Sequence, residues 1–276
     1  MKSLFNAIEV NALLARRRVA IGLFHTTPEL IGNLVTAAKC ADIVIVGTHI
    51  EGFECISAKG DRNASDTLLS LVQRKEVDAI ARGQIYYTDY HESMNAFFGF
   101  TRDVMCPYLL RDFCGNEWFI TPMVHHDDCS IDGRCYLASQ TAAICERLGN
   151  DATISVLAPD KDRGYSKIVD QGGDDANAIV KRLVTDGFNA KLVELRIDLA
   201  AATSNIVVPM DGIVGNFVYR SLGSLGGATL VGGFTLTNRF VSIDTSQSQK
   251  SFSHAIESAV AIVNLGGMPV EDFMLA

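Results

Sequence analysis

The feature that most constrains the fold of this chain is a regular alternation of short apolar runs with amphipathic segments. The runs Val19–Phe24, Asp42–Gly47 and Val77–Ala81 each have the length and composition of a buried strand. Residues 26–29, Thr-Thr-Pro-Glu, form a typical helix start, and the apolar residues of 66–72 recur at helical spacing. Because strands that alternate with helices pair in parallel, the sequence predicts an α/β fold with a mainly parallel sheet.

The pattern changes after the third apolar run. Residues 108–110 and 118–121 have strand composition and are separated by a turn at Gly115-Asn116, which favours a hairpin over a crossover. Helices and strands then alternate again to the C-terminus. We therefore predict a domain boundary near residue 103.

Charge and hydropathy exclude several classes of protein. The net charge of -8 and the pI near 5.2 give no general attraction to phosphate backbones or anionic lipids. No apolar run approaches the ~20 residues that cross a bilayer, and Glu9 and Arg16–Arg18 are placed in the reverse of a secretory signal. We expect a cytoplasmic protein without nucleic-acid or membrane partners, whose seven cysteines are reduced.

The end of the third apolar run is the first candidate ligand site. Arg82 and Gly83 follow the strand, and a helix begins near Thr88. In open α/β sheets, ligands bind at the carboxyl ends of strands, where helix N-termini offer free N–H groups to anions. The three residues are therefore candidates for binding a phosphate or carboxylate, although an ordinary strand-turn-helix with a solvated arginine has the same pattern.

A polar loop after the strand at 153–157 is the second candidate. Lys161, Arg163 and Gly164 combine positive side chains with a backbone free to approach a phosphate. The alternative is a surface loop in which neighbouring aspartates neutralise both bases.

Two polar residues on a predicted helix form the third candidate. Asn216 and Arg220 are four residues apart and would share one helix face. That face could line a ligand cleft or could simply be solvated.

A stretch of possible metal ligands is the fourth candidate. His125, His126 and Cys129 lie close together in a predicted loop, but their spacing is not that of a closed zinc site. We expect a hydrogen-bonded loop without a metal, and keep these three residues as candidate ligands.

Several of these segments resemble motifs of the phosphate acetyl/butyryl transferase family. Residues 81–88 are similar to its Ser-Gly-Ala-x-His-Thr-Thr element, with Arg82 at the serine and Tyr86 at the histidine. Residues 154–164 are similar to its phosphate loop, and Gly-Asn-Phe-Val-Tyr-Arg at 215–220 is close to its Gly-Asn-Ile-Gly-Tyr-Lys segment. The resemblance extends from about residue 70 to the end of the chain.

The resemblance implies a two-domain, isocitrate/isopropylmalate dehydrogenase-like (phosphotransacetylase-like) fold, in which the C-terminal segment returns to the first domain. The implied domains are residues 1–103 with 245–276, and residues 104–244. An inter-domain cleft would bind an anionic small molecule, either coenzyme A or another anionic thiol or phosphate. Its implied lining is Arg82, Gly83, Thr88, Lys161, Arg163, Gly164, Asn216 and Arg220. The resemblance also implies a homodimer.

The chain departs from this family near its C-terminus. Residues 239–250 lack the family's Ser-Arg-Gly, and His254 or Ser248 stands near the position of its catalytic aspartate. Acyl transfer to a thiol needs a proton acceptor and charge stabilisation, so the departure weighs against acetyl phosphate chemistry. His125 and His254 are the candidate bases.

This divergent form is similar to the methanogenesis marker protein 4 family of methanogens, described as methyltransferase subunits. The similarity implies a transferase in C1 metabolism that works with methyltransferase partner subunits. The alternative hypothesis is a binding or assembly protein that keeps the scaffold and performs no chemistry.

Overall fold

A computed structural model of the chain describes residues 2–101, 104–124, 129–159, 164, 166–247 and 249–270. The first elements, in chain order, are α1 (Leu4–Ala12), β1 (Arg17–Leu23), α2 (Pro28–Ala37), β2 (Ala41–Gly47), β3 (Glu54–Ser57), α3 (Gly60–Gln73), β4 (Ala79–Ala81) and α4 (Tyr87–Phe98). The next are β5 (Tyr108–Arg111), β6 (Glu117–Ile120), α5 (Ile131–Arg147), β7 (Thr153–Ala158), α6 (Lys167–Thr185) and β8 (Asn189–Glu194). The last are α7 (Ile197–Thr203), β9 (Ile206–Val208), α8 (Gly212–Ser224), β10 (Thr229–Phe234), β11 (Val241–Asp244) and α9 (Ser253–Asn264).

The chain divides into two compact units. The N-terminal unit consists of Phe5–Val104 and the chain from Val231 onward, and the central unit consists of Met1–Leu4 and Met105–Leu230. The predicted domains, residues 1–103 with 245–276 and residues 104–244, stay a prediction. β11 pairs with β4 and so belongs to the N-terminal unit.

The N-terminal unit contains strands in the order β3-β2-β1-β4-β11-β10. β1 pairs in parallel with β2 and β4, β2 with β3, and β4 with β11. β10 runs antiparallel to β11. The predicted α/β class with a mainly parallel sheet is confirmed.

Helices cover the apolar strands of this unit, which explains why their sequences are continuously hydrophobic. One core cluster joins Ala20 of β1 and Ile80 of β4 to Leu68 and Leu69 of α3 and Met94 of α4. α9 packs on β4 and β11, and all its apolar residues except the half-buried Val263 are fully buried. Each fully buried leucine or isoleucine stabilises the fold by roughly 1.5–3 kcal/mol relative to an exposed one.

The central unit contains strands in the order β5-β6-β9-β7-β8. β5 and β6 form the predicted hairpin, in which Tyr108 pairs with Ile120 and Arg111 with Glu117. β6, β9, β7 and β8 pair in parallel. Across the part of the chain that the structure describes, no helix has both the length and the apolarity needed to cross a membrane.

The seven cysteines are free thiols, and two of them lie in strongly desolvating surroundings. Burial raises the pKa of Cys40 from 9.0 to about 11, and the negative charge of Glu257 adds to this effect. Burial also raises the pKa of Cys145. Cys114, in contrast, is exposed.

These pKa shifts predict a loss of stability at alkaline pH. A thiol whose pKa is raised by folding stabilises the native state below pH 9, and this contribution is lost as pH rises from 9.0 towards about 11, because only the unfolded chain ionises there. We expect Cys40→Ala to reduce the alkaline fall in the free energy of unfolding and Cys114→Ala to leave it unchanged. Urea unfolding from pH 8 to 11 measures both slopes; equal slopes in the two variants would contradict the assignment.

Candidate functional site

The carboxyl ends of β1 and β4 form a topological switch point in the N-terminal unit. β1 lies between β2 and β4, so the connection that leaves β1 runs to one side while β4 and its following loop lie on the other. Loops that diverge from adjacent parallel strands leave a crevice between them, which is where open α/β sheets bind ligands. The candidate site of this unit therefore lies at the ends of these two strands.

Two glycines bring the loop after β4 close to β1. Gly83 has a φ of +70°, and a Cβ at this position would lie 2.0 Å from the carbonyl oxygen of Gly22. That same carbonyl accepts a hydrogen bond from the backbone N–H of Gln84 at 2.8 Å. Only glycine combines this backbone conformation with this approach, so Gly83 shapes the crevice.

A buried ion pair fixes the same loop to β11. The guanidinium of Arg82 donates from Nε to Oδ1 of Asp244, and the two side chains are 5% and 2% exposed. Arg82 also donates from Nη1 to the carbonyl oxygen of Ile85 at 2.5 Å and lies 5.5 Å from the ring centroid of Tyr87. Arg82 therefore holds the turn that enters α4. Its predicted role in anion binding stays a prediction.

A cavity of about 320 Å³ opens at this edge of the unit. Its lining is Phe24, His25, Gly60, Asp61, Gln84 and Gln247. These residues follow β1, β4 and β11 or begin α3, so the cavity lies where the strand order predicts a ligand. We call it the N-terminal crevice.

Gln84 connects two of the loops that line the N-terminal crevice. Its Oε1 accepts from the backbone N–H groups of Phe24 and His25 at 2.8 and 2.9 Å, and its Nε2 donates to the carbonyl oxygen of His25 at 3.0 Å. Gln247 Nε2 in turn donates to the backbone carbonyl of Gln84 at 3.0 Å. The loops after three different strands are thus joined by amide hydrogen bonds.

The N-terminus of α3 contributes a partial positive charge to the crevice. The N-cap residue Lys59 makes no side-chain hydrogen bond to the first turn, so that turn has N–H groups available to a ligand. Asp61, also in this turn, accepts from the backbone N–H of Tyr86 at 2.6 Å. Thr88, one of the predicted binding residues, is exposed in the first turn of α4.

Three predicted binding residues lie in the central unit. Gly164 has a φ of +90° and donates its backbone N–H to Oδ1 of Asp170 at 3.0 Å. Asn216 and Arg220 lie on α8; Asn216 is half-buried and Arg220 is exposed. This helix packs closely because a Cβ on Gly215 would lie 2.2 Å from the carbonyl oxygen of Pro122. The Gly-Asn-Phe-Val-Tyr-Arg pattern is therefore partly a packing requirement.

The remaining candidates are divided between described and undescribed residues. Lys161, Arg163, His125 and His126 lie outside the described residues. Among those described, no three His, Cys, Asp or Glu side chains converge as a metal site. His254 lies on α9, where its Nδ1 is 2.9 Å from a Glu257 carboxylate oxygen and its ring meets Phe5 edge-on.

Sequence reasoning missed the residues that organise the crevice. Gln84 lies in the 81–88 element but was not a candidate itself, and Gln247 lies in no recognisable motif. The roles of both come from backbone contacts that only the fold creates. The sequence contained one indication of the role of Asp244. It ends an apolar run, and an acidic residue that is buried there requires a partner.

The fold is similar to that of phosphotransacetylases of known structure. A phosphotransacetylase from Streptococcus pyogenes has a TM-score of 0.64 at 14% identity, with 96% of this chain and 99% of that one covered. A branched-chain phosphotransacylase from Enterococcus faecalis has a TM-score of 0.63 at 14% identity, with 90% and 99% covered. A 4-hydroxythreonine-4-phosphate dehydrogenase from Klebsiella pneumoniae follows at 0.51, with 12% identity and 90% and 99% covered. These likenesses confirm the predicted phosphotransacetylase-like fold.

The sequence is similar to methanogen proteins over nearly its whole length. A protein of Methanosarcina mazei named "Putative methyltransferase mtx subunit X" is 29% identical, with 96% of this chain and 97% of the relative covered. The protein of the same name from Methanosarcina acetivorans is 29% identical, with 95% and 96% covered. No model of a known protein family matches the chain. The resemblance predicted from the sequence is confirmed by these two sets of relatives.

The buried ion pair predicts a large difference in unfolding free energy between two variants that each replace an ion-paired arginine by methionine. Arg82→Met leaves the Asp244 carboxylate buried without a counter-charge and should cost about 3–5 kcal/mol of unfolding free energy. Arg74→Met breaks the exposed pair with Glu76, whose side chains are 59% and 51% exposed, and should cost ~0–1 kcal/mol.

The double variant Arg82→Met/Asp244→Leu removes both charges and should recover most of the lost stability. Denaturant unfolding of the four proteins measures these values. Similar losses for Arg82→Met and Arg74→Met would show that the buried pair does not fix the loop.

Proposed function

We propose that the chain is a subunit of a methyl-transferring enzyme and that it binds an anionic small molecule in the N-terminal crevice. The observation that carries this proposal is the coincidence of the cavity with the β1/β4 switch point. The phosphotransacetylase-like fold and the names of the methanogen relatives support the transferase class. Coenzyme A or another anionic thiol or phosphate is the ligand class that the resemblance favours.

The chemistry of the crevice supports an anionic group on the ligand. The first turn of α3 presents backbone N–H groups, and a helix N-terminus carries about half a positive charge. The side-chain amide of Gln247 and the ring of His25 add possible donors at the rim. A thiolate, phosphate or carboxylate would therefore find hydrogen bonds that a neutral ligand would leave unfilled.

A binding or assembly protein without chemistry is the second candidate function. The observation in its favour is that Asp244, which ends β11 in the segment that departs from the acyltransferase pattern, is buried against Arg82. A carboxylate held in this way is not available as a general base. On this alternative, the chain serves methyltransferase partner subunits by binding alone.

We also propose that the chain forms a homodimer and binds methyltransferase partner subunits. Apolar side chains exposed on and beside α8, including Phe217 at 69% and Leu225 at 89%, support a surface that another chain covers. Sedimentation equilibrium of the purified protein measures the mass; a monomer at all concentrations would remove the homodimer from the proposal.

A ligand titration tests the anion site. Thermal-shift measurements with inorganic phosphate, acetyl phosphate, coenzyme A and coenzyme M should reveal at least one stabilising ligand, since a ligand at about 100 times its Kd adds ~2.7 kcal/mol. Gln247→Glu, which adds a negative charge at the rim, should abolish the shift. Gln73→Glu adds the same charge at the exposed end of α3 and should preserve it.

The thermal shifts of the two variants distinguish the two candidate functions in combination with turnover assays. A shift lost only in Gln247→Glu supports the N-terminal crevice, and that ligand then enters assays of methyl and acyl transfer. Turnover supports the transferase, and binding without turnover supports the assembly protein. If no anion stabilises the wild-type protein, the anionic-ligand proposal fails.

A further inference from the structure

The backbone of His25 is held at two points by the side chain of Gln84. The backbone N–H of His25 donates to Oε1 of Gln84 at 2.9 Å, and its carbonyl oxygen accepts from Nε2 of the same amide at 3.0 Å. One side chain therefore binds both polar groups of the His25 backbone. This contact fixes the residue at the point where the chain leaves β1.

Gln84 is itself fixed through each of its polar groups. Its backbone N–H donates to the carbonyl oxygen of Gly22 at 2.8 Å, and its own carbonyl oxygen accepts from Nε2 of Gln247 at 3.0 Å. Its Oε1 also accepts from the backbone N–H of Phe24 at 2.8 Å. The contacts that hold His25 thus connect the loops after β1, β4 and β11, so the Cβ of His25 keeps one position in the N-terminal crevice.

The imidazole of His25, in contrast to its backbone, has no hydrogen-bond partner among the residues that the structure describes. The residue is exposed and lines the cavity of about 320 Å³. A firmly held backbone therefore presents a ring whose two nitrogens are available to a ligand.

The charges of the crevice lining are unbalanced while this imidazole is neutral. The lining residues are Phe24, His25, Gly60, Asp61, Gln84 and Gln247. Asp61 has the single carboxylate of this set, and His25 has its single side chain that can become positive. The lining is therefore negative when His25 is neutral and balanced when His25 is protonated. Uptake of one proton offsets the charge that opposes an anion there.

We propose that His25, in its protonated form, binds the acid group of the crevice ligand and that Gln84 positions it, so that the protein takes up a proton from solvent when the ligand binds. This inference rests on the anion site of the proposed function. An imidazolium N–H forms a charge-assisted hydrogen bond to an anionic oxygen, and such a bond is stronger than one from a neutral donor. The proton returns to solvent when the ligand leaves.

Other charged groups near His25 determine which control variant is needed. Apart from the buried pair of Arg82 and Asp244, the charged and titratable residues that come first along each neighbouring segment are Glu29 in α2, His49 after β2, Lys59 and Asp61 at the start of α3, Tyr86 after β4 and Lys250 after β11. Of these residue types, histidine is the one that ordinarily changes charge between about pH 5.5 and 8. His49 is therefore the matched control.

Sulfate titrations of the full-length protein between about pH 5.5 and 8 test the proton coupling. Sulfate stays doubly charged in this range, so a pH dependence of its binding belongs to the protein. The backbone ¹H–¹⁵N signal of Gln84 reports the Kd. We expect a Kd that is constant at low pH and rises by up to about tenfold per pH unit once the imidazole loses its proton, since one proton is linked to binding.

Two histidine variants assign this pH dependence. His25→Gln keeps a neutral donor at the exposed rim, and its Kd for sulfate should change by less than about twofold over the same range. His49→Gln should keep the wild-type dependence. In the wild-type protein near neutral pH, sulfate should also shift the ring ¹⁵N signals of His25 towards those of an imidazolium.

A double-mutant cycle tests the positioning role of Gln84. Gln84→Ala should weaken sulfate binding at low pH by about as much as His25→Gln, and the double variant should bind no more weakly than either single variant, because Gln84 acts through His25. Losses that add in the double variant would refute this role. His25→Gln changes an exposed side chain, so it tests the coupling even if Gln84→Ala does not fold.

The outcomes separate this inference from the proposed function. A sulfate Kd that does not change with pH, or one that keeps its pH dependence in His25→Gln, would overturn the inference while the anion site stands. The same holds if sulfate does not bind at low pH but inorganic phosphate, acetyl phosphate, coenzyme A or coenzyme M stabilises the protein. If none of these anions binds at any pH, the proposed function fails and the inference fails with it.

Discussion

The ion pair between Arg82 and Asp244 joins parts of the chain that are 162 residues apart. It connects the loop after β4 to the end of β11, where both side chains are almost fully buried and either charge alone would be strongly destabilising. The C-terminal strand and helix of the protein must therefore return to the N-terminal unit for that unit to be stable. The C-terminal segment thus completes this unit and contributes Gln247 to the lining of the N-terminal crevice.

The same interaction connects the stability of the N-terminal unit to the shape of its crevice. Arg82 fixes the turn in which Gly83 approaches β1 and Gln84 binds the loop after β1, so the crevice depends on a guanidinium that is itself buried. Phosphate-binding arginines are normally recognised by their accessibility, and Arg82 has little. Under the proposed function, Arg82 shapes the crevice, and backbone N–H groups and side-chain amides are the groups that would contact the ligand.

Much of the fold could be predicted from the sequence, because β1, β2 and β4 are buried on both faces and have continuous apolar runs. Two elements could not. β3 is an edge strand of four residues that are all exposed or half-buried, and α7 has seven residues, fewer than the 11–18 over which a helical periodicity can be recognised. The site was harder to predict, since Gln84 acts through the backbone of Phe24 and His25, and the role of Asp244 depends on its burial against Arg82.

The central claim is that a ligand binds at the β1/β4 switch point of the N-terminal unit. Hydrogen-exchange mass spectrometry with and without the most strongly stabilising anion tests it most directly, because exchange reports each loop separately. We expect slower exchange in peptides that contain residues 24–27 and 83–86, with exchange in α9 unchanged. Protection that spares both of these loops would contradict it.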